Sequence, residues 1–193
     1  MRIVTISREY GAGGHFIAQA VAKELGIEFY DKDIIAAAAK ASYLDASVIE
    51  REGEELTAGE SFWQIITPIS YDHKDHIFQI QREVILDIVA KGPCVILGRC
   101  ADVILNEAGI DSLNVFVYAD EAHRARRVAE YIQSDDLSEI VRTMKRIDRN
   151  RRAFYEHYTR QHWGECRNYS MALDSGVLGP DKCVQLICEA AED

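Results

Sequence analysis

Apolar residues fall along this chain in two kinds of run, and their alternation is the first structural signal. Short runs with little polar interruption predict strands buried on both faces: Ile3–Ser7, Cys94–Gly98, Asn114–Ala119 and Tyr169–Asp174. Ile27–Tyr30 is a shorter candidate. Between these runs apolar residues recur every three to four positions. That spacing predicts helices over His15–Leu25, Lys32–Ala41, Asp75–Lys91, Ala101–Glu107, Glu121–Gln133, Leu137–Tyr158 and Pro180–Ala190. In the third of these, Ile77, Ile80, Val84, Ile85 and Ile88 share one face. Strands alternating with helices predict an α/β architecture with a parallel sheet covered on both faces.

The segment Ser42 to Asp75 breaks the alternation. It carries Glu50, Glu52, Glu54 and Glu55 and the aromatic pair Phe62-Trp63. It reads as an insertion packed on the main sheet, or as a lid or partner-contact element. No internal repeat or low-complexity tract divides the chain. With 193 residues and only three prolines, the expectation is one domain over 1–193.

Charge narrows the partners. The formal net charge is −10, which argues against a general nucleic-acid binder, since that needs a basic surface. The longest apolar runs fall far short of a membrane span, so no membrane association is expected. The first residues read as a strand without a basic leader, which makes the cytoplasm the expected compartment. The five cysteines include no CxxC pair, so free thiols are expected rather than a disulfide or zinc site. His73 and His76 stand three apart beside two aspartates, but no third ligand supports them, and no metal site is expected from protein ligands.

Against that acidic background four stretches carry candidate chemistry. The first is the turn after the opening strand, "SREYGAGGHF". Gly11, Gly13 and Gly14 give a backbone able to turn its amides on a phosphate, with Ala12 between them and a helix N-terminus behind. A full phosphate loop reads G-x-x-x-x-G-K-[ST]. Here, counting from the strand, Gly14 stands at the lysine and Phe16 at the hydroxyl. Taken alone, the loop is more readily explained as a plain tight strand-to-helix turn. The second stretch is "CVILGRCADVIL", which delivers Arg99 to the end of a buried strand, where its planar fork suits a phosphate or a salt bridge. The third is "RTMKRIDRNRR", in which six of eleven residues are basic. Clustered like charges on a helix need neutralising, by phosphates or by the acidic insertion, unless the face is simply solvated. The fourth is "EFYDKDII", where Asp31 fits a helix N-cap and secondarily a ligand contact.

Taken in order, "TISREYGAGG", "FYDKDII", "CVILGRCADVIL", "VYADEAHRARRV", "DRNRRAFYEHYT" and "DSGVLGPDKCVQLI" span almost the whole chain. Together they resemble the cytidylate kinase-like family, relatives of bacterial cytidylate kinase among the nucleoside-monophosphate kinases. The resemblance implies a three-layer P-loop NTPase-like fold with a parallel five-stranded sheet. It implies a monophosphate-site region at about 31–75 and an arginine-rich helical lid at about 137–163. "TISREYGAGGHF" lies on the kinase's "TIDGPSGSGKGT". By that register Arg8, Gly11, Ala12, Gly13, Gly14 and His15 are the phosphate-binding candidates, with Arg8 and His15 placed to replace part of the missing lysine. Asp31 and Arg99 become acceptor-binding candidates. Cys100 replaces an aspartate of the motif, which bears on sugar or cytosine recognition. Arg149, Arg151 and Arg152 become candidate clamps on the transferring phosphoryl.

The implied activity is ATP-dependent phosphoryl transfer to CMP or a related small acceptor, with Mg2+ held mainly by phosphates and water. The partner is then a small-molecule nucleotide, and a homo-oligomer is compatible with the sequence. A second reading, motivated by Gly14 and Phe16, is a weak or inactive nucleotide or phosphometabolite sensor. A third is a scaffold dimer without a ligand.

Overall fold

The computed structural model describes residues 2–35 and 71–192. Its elements, in chain order, are β1 (Ile3–Arg8), α1 (Gly14–Leu25), β2 (Glu28–Tyr30), α2 (Tyr71–Val89), β3 (Cys94–Leu97), α3 (Ala101–Glu107), β4 (Ser112–Tyr118), α4 (Glu121–Ile132), α5 (Leu137–Thr159), β5 (Met171–Asp174), α6 (Ser175–Leu178) and α7 (Pro180–Glu192). A helical stretch also covers 32–35. The rest of the helix expected over Lys32–Ala41, and the acidic cluster and aromatic pair of the 42–75 segment, lie outside the described residues. Residues 71–75 belong to α2.

The strands form one five-stranded sheet in the order β2-β3-β1-β4-β5. The register is parallel, with Val4 opposite Val95 and Leu113, and Val117 opposite Leu173. Parallel strands need crossover connections, which accounts for a helical segment after each strand.

Side-chain alternation divides the core of the unit formed by residues 1–29 and 92–193. On one face Val4, Ile6, Val95, Leu97, Val115 and Val117 pack with Ile17 and Val21 of α1 and Cys183 and Ile187 of α7. Full burial of each large aliphatic chain contributes roughly 1.5–3 kcal/mol. On the opposite face Phe116 meets Trp163 edge-on, with ring centroids 5.3 Å apart, and Tyr169 at 5.0 Å. Trp163 and Tyr155, which followed the arginine run in sequence, are core residues there. The second unit, residues 30–91, contains α2, whose buried face comprises Ile80, Val84, Ile85, Ile88 and Val89. All five cysteines are free, and burial pushes the Cys94 thiol up to about 11.

Candidate functional site

The turn between β1 and α1 is built from the back. Gly11 and Gly13 both adopt φ near +80°, a region a side chain resists. A Cβ at Gly11 would also stand 2.9 Å from Val128 Cγ2 and 3.0 Å from the Arg124 carbonyl, so the turn sits directly on α4. Six consecutive carbonyls of this turn then accept hydrogen bonds. Arg151 Nη1 donates to Arg8 O at 3.1 Å, Arg124 Nη1 to Tyr10 O at 3.2 Å, and Arg127 Nη1 to Gly11 O at 3.1 Å. The Ser175 hydroxyl donates to Ala12 O at 2.6 Å. Ala12 N donates to Glu9 O and Ile17 N to Gly13 O. With the carbonyl edge tied to α4, α5 and α6, the turn opens α1 at Gly13 without a side-chain cap and without an acidic residue in the first turn. A helix start left in that state attracts anions.

Asp148 anchors the arrangement. It accepts the Tyr10 N–H at 2.7 Å through Oδ1 and Arg124 Nη1 at 2.5 Å through Oδ2. Arg151 Nη1 stands 3.9 Å away, and its guanidinium also lies 5.7 Å from the Tyr10 ring centroid. Arg124 Nε pairs with Glu9 Oε2 at 3.4 Å without hydrogen-bond alignment. Burial holds the Glu9 carboxyl above its ordinary range, opposed by Arg124, the Ala119 amide and Arg152. Burial likewise lowers Arg151, opposed by Asp148, though a guanidinium keeps its charge across the working pH range. Around one turn, then, Arg124 pairs with Glu9 and Asp148, Arg151 stands near Asp148, and Arg127 holds the Gly11 carbonyl.

The candidates read from sequence are placed as follows. Arg8, Gly11, Ala12, Gly13 and Gly14 form the turn itself. The side chain of Arg8 runs over Gly14: a Cβ at Gly14 would lie 2.6 Å from Arg8 Cβ and 2.7 Å from its Cγ. His15 instead packs edge-on against Phe29, centroids 5.5 Å apart. Arg151 contributes through the turn's carbonyl edge. Arg152 lies over Trp163 at 5.9 Å, and Arg149 is exposed. Arg99 follows β3 in a turn of three left-handed residues, Gly98, Arg99 and Cys100, with φ of 75°, 64° and 55°. Such a conformation costs a side-chain-bearing residue about 1–2 kcal/mol. Asp31, in the second unit, caps the 32–35 helix by accepting from Asp33 N at 3.0 Å and Ile34 N at 3.1 Å. Phe16, where a metal-binding hydroxyl was expected, is an exposed apolar ring. Among the described residues no three His, Cys, Asp or Glu side chains cluster to hold a metal.

Glu9, Arg124, Arg127, Asp148 and Ser175 were not singled out from sequence. The usable signal was in "EAHRARRV", where Arg124 and Arg127 are one turn apart on the apolar side of α4 with Val128.

A second polar group lies beneath the Arg99 turn. Asp102, 3% exposed, accepts from the Tyr155 hydroxyl at 2.8 Å. Burial raises the Asp102 carboxyl, the Tyr155 hydroxyl bond opposing, and burial with the Asp102 charge raises Tyr155. The folded chain thus keeps a proton on Asp102 that the unfolded chain releases near pH 4. The stability this carries is complete below that pH and is lost as pH rises through the folded value. Asp102→Asn abolishes the loss. Melting curves of wild type and variant should lie together below pH 4 and separate above it, with the variant gaining relative to wild type. A constant difference across pH would show that Asp102 titrates normally.

Residues 3–177 match the family model described as the cytidylate kinase-like family. Comparison with curated proteins gave no match. Among solved structures, the fold is similar to that of an uncharacterized protein from Eubacterium ventriosum, with a TM-score of 0.77, 23% identity, and 100% of this chain and 99% of that one covered. It is also similar to a shikimate kinase from Bacteroides thetaiotaomicron, with a TM-score of 0.56, 16% identity and 100% of both chains covered. A third likeness is to TT1252 from Thermus thermophilus, with a TM-score of 0.57, 16% identity, and 98% and 95% covered.

Proposed function

Because the chain belongs to the cytidylate kinase-like family, we propose that it transfers the γ-phosphoryl group of ATP to the phosphate of a nucleoside monophosphate, CMP being the first acceptor to try. An acceptor phosphate oxygen forms the new bond to the γ-phosphorus, the bond from that phosphorus to the β-γ bridging oxygen breaks, and ADP leaves. The observation that carries the reading is the tied carbonyl edge of residues 8–13 together with the uncapped start of α1. Phosphoryl transfer relies on positioning and charge stabilisation, and a turn with its carbonyls held back suits both.

In this reading the amides of Gly11, Gly13 and Gly14 receive the donor's phosphates, the Ala12 amide being engaged by the Glu9 carbonyl. Arg99 grips the acceptor phosphate with its planar fork, and its strained turn fixes the direction of approach. Arg149, exposed on α5, and Arg152 are the groups left to close over the transferring phosphoryl. Arg151 acts through the turn instead.

The expected result is release of ADP from ATP that requires an added nucleoside monophosphate, measured in a coupled assay across the four common bases. No product with any of them would end the kinase reading. Saturable ATP binding without turnover would favour a sensor, the alternative that Gly14 and Phe16 support.

A further inference from the structure

Positions 8 and 14 are reciprocal. In the pattern G-x-x-x-x-G-K, position 8 is the first glycine and position 14 the lysine; this chain has arginine at the first and glycine at the second. The geometry explains why both changes come together. A Cβ at Gly14 would lie 2.6 Å from Arg8 Cβ, 2.7 Å from Cγ and 3.6 Å from Cδ, closer than unbonded carbons pack. The backbone thus admits a side chain at one of the two positions only. The arginine stem crosses Gly14, and its Nη1 reaches the turn after β3. There a Cβ on Gly98, itself at φ +75°, would collide with it. The Arg8 carbonyl is meanwhile held by Arg151 at 3.1 Å, which fixes the root of the side chain.

We propose that Arg8 is the phosphate-binding cation of this site, supplying from the first glycine position the charge that the usual pattern supplies from position 14. Its guanidinium lies between the start of α1 and the Gly98–Cys100 turn, so a single fork spans the segments assigned to donor and acceptor. A lysine at 14 presents a point charge, whereas the guanidinium holds two phosphate oxygens in a plane and never loses its proton. Gly14 and Gly98 are then small because Arg8 passes between them. The inference rests on the phosphoryl-transfer reading above.

The test is calorimetric titration of ATP and of inorganic tripolyphosphate into the full chain. The proteins compared are wild type, Arg8→Gln, Gly14→Lys and the double variant Arg8→Gly/Gly14→Lys, each checked by thermal melting. Arg8→Gln retains most of the stem and should melt like wild type while binding both ligands about 10–100-fold more weakly. The double variant returns the cation from the other side and should recover to within about 5-fold of wild type, which a purely structural arginine would not allow. Gly14→Lys alone adds a charge yet should bind no more tightly, and should melt lower because Arg8 fills its space. If wild type binds ATP and folded Arg8→Gln binds it equally well, the inference is overturned and the kinase reading stands. A folded double variant that stays as weak as Arg8→Gln also overturns it. If wild type binds neither ligand, the kinase reading itself fails.

Discussion

Replacing Asp148 with alanine should lower the melting temperature by on the order of 10 °C, the largest stability effect expected of any polar substitution at the site. Asp148 is 14% exposed at its side chain and binds two partners at once, the Tyr10 amide and the Arg124 guanidinium. Removing one member of a buried pair costs about 3–5 kcal/mol because the remaining charge is stranded. Arg124 would keep only the Tyr10 carbonyl and the misaligned contact with Glu9 among its described partners, and neither is a well-aligned carboxylate. In a chain of this length each kcal/mol moves the midpoint by about 2–4 °C. Asp148→Asn retains an acceptor for the Tyr10 amide and should fall between wild type and the alanine variant. Thermal melts of the three proteins check the order. A shift below about 2 °C for the alanine variant would mean that the turn is held by its glycines and α4 alone.

The largest functional effect is expected from Arg151→Ala, a drop in kcat of about 10²–10³ with a smaller change in melting temperature. Arg151 acts on the turn through the Arg8 carbonyl and the Tyr10 ring. Without it the root of Arg8 loses its tether, and an ångström of displacement at a reacting centre costs about 10²-fold. Lysine should not rescue the variant, since an ammonium lacks the fork that reaches a carbonyl while lying over a ring. Because Asp148 and Arg151 share partners, the double variant should lose less than the sum of the singles. Steady-state kinetics on the purified variants settle the point, and full activity in Arg151→Ala would show that the tether on the Arg8 carbonyl is not needed for turnover.

The fold was legible where burial is two-sided. β1 and β3 read directly as apolar runs because both their faces are covered. The predicted run began at Asn114 and missed the first two residues of β4, because Ser112, like Asn114, is polar. Their polarity is absorbed inside the sheet, where Asn114 Oδ1 accepts from Thr5 Oγ1 at 2.7 Å and Ser112 Oγ at 2.8 Å. α6 escaped notice because four residues cannot show a helical period; Asp174 creates it by accepting from Gly176 N and Val177 N.

At the site the glycine turn announced itself and its support did not. The run "RTMKRIDRNRR" looked like unrelieved positive charge. In the fold Glu121 on Lys145 and Glu139 on Arg142, both at 2.8 Å, with Asp148 3.9 Å from Arg151, relieve part of it. Asp148 was hidden because a lone carboxylate among six bases reads as a dilution, not as an anchor. Arg8 stood in plain view beside the turn. Its pairing with Gly14 depends on two atoms meeting across a loop, which no spacing rule encodes.

The tied carbonyl edge also sets a timetable. The serine that clamps Ala12 comes 163 residues after it along the chain. At ribosomal speeds of about 5–20 residues per second, that separation is roughly 10–30 s. Within that interval α4 and then α5 emerge, and Ser175 closes it. The glycine turn is therefore translated well before the groups that shape it, and its carbonyl edge is complete only when α4, α5 and α6 have docked.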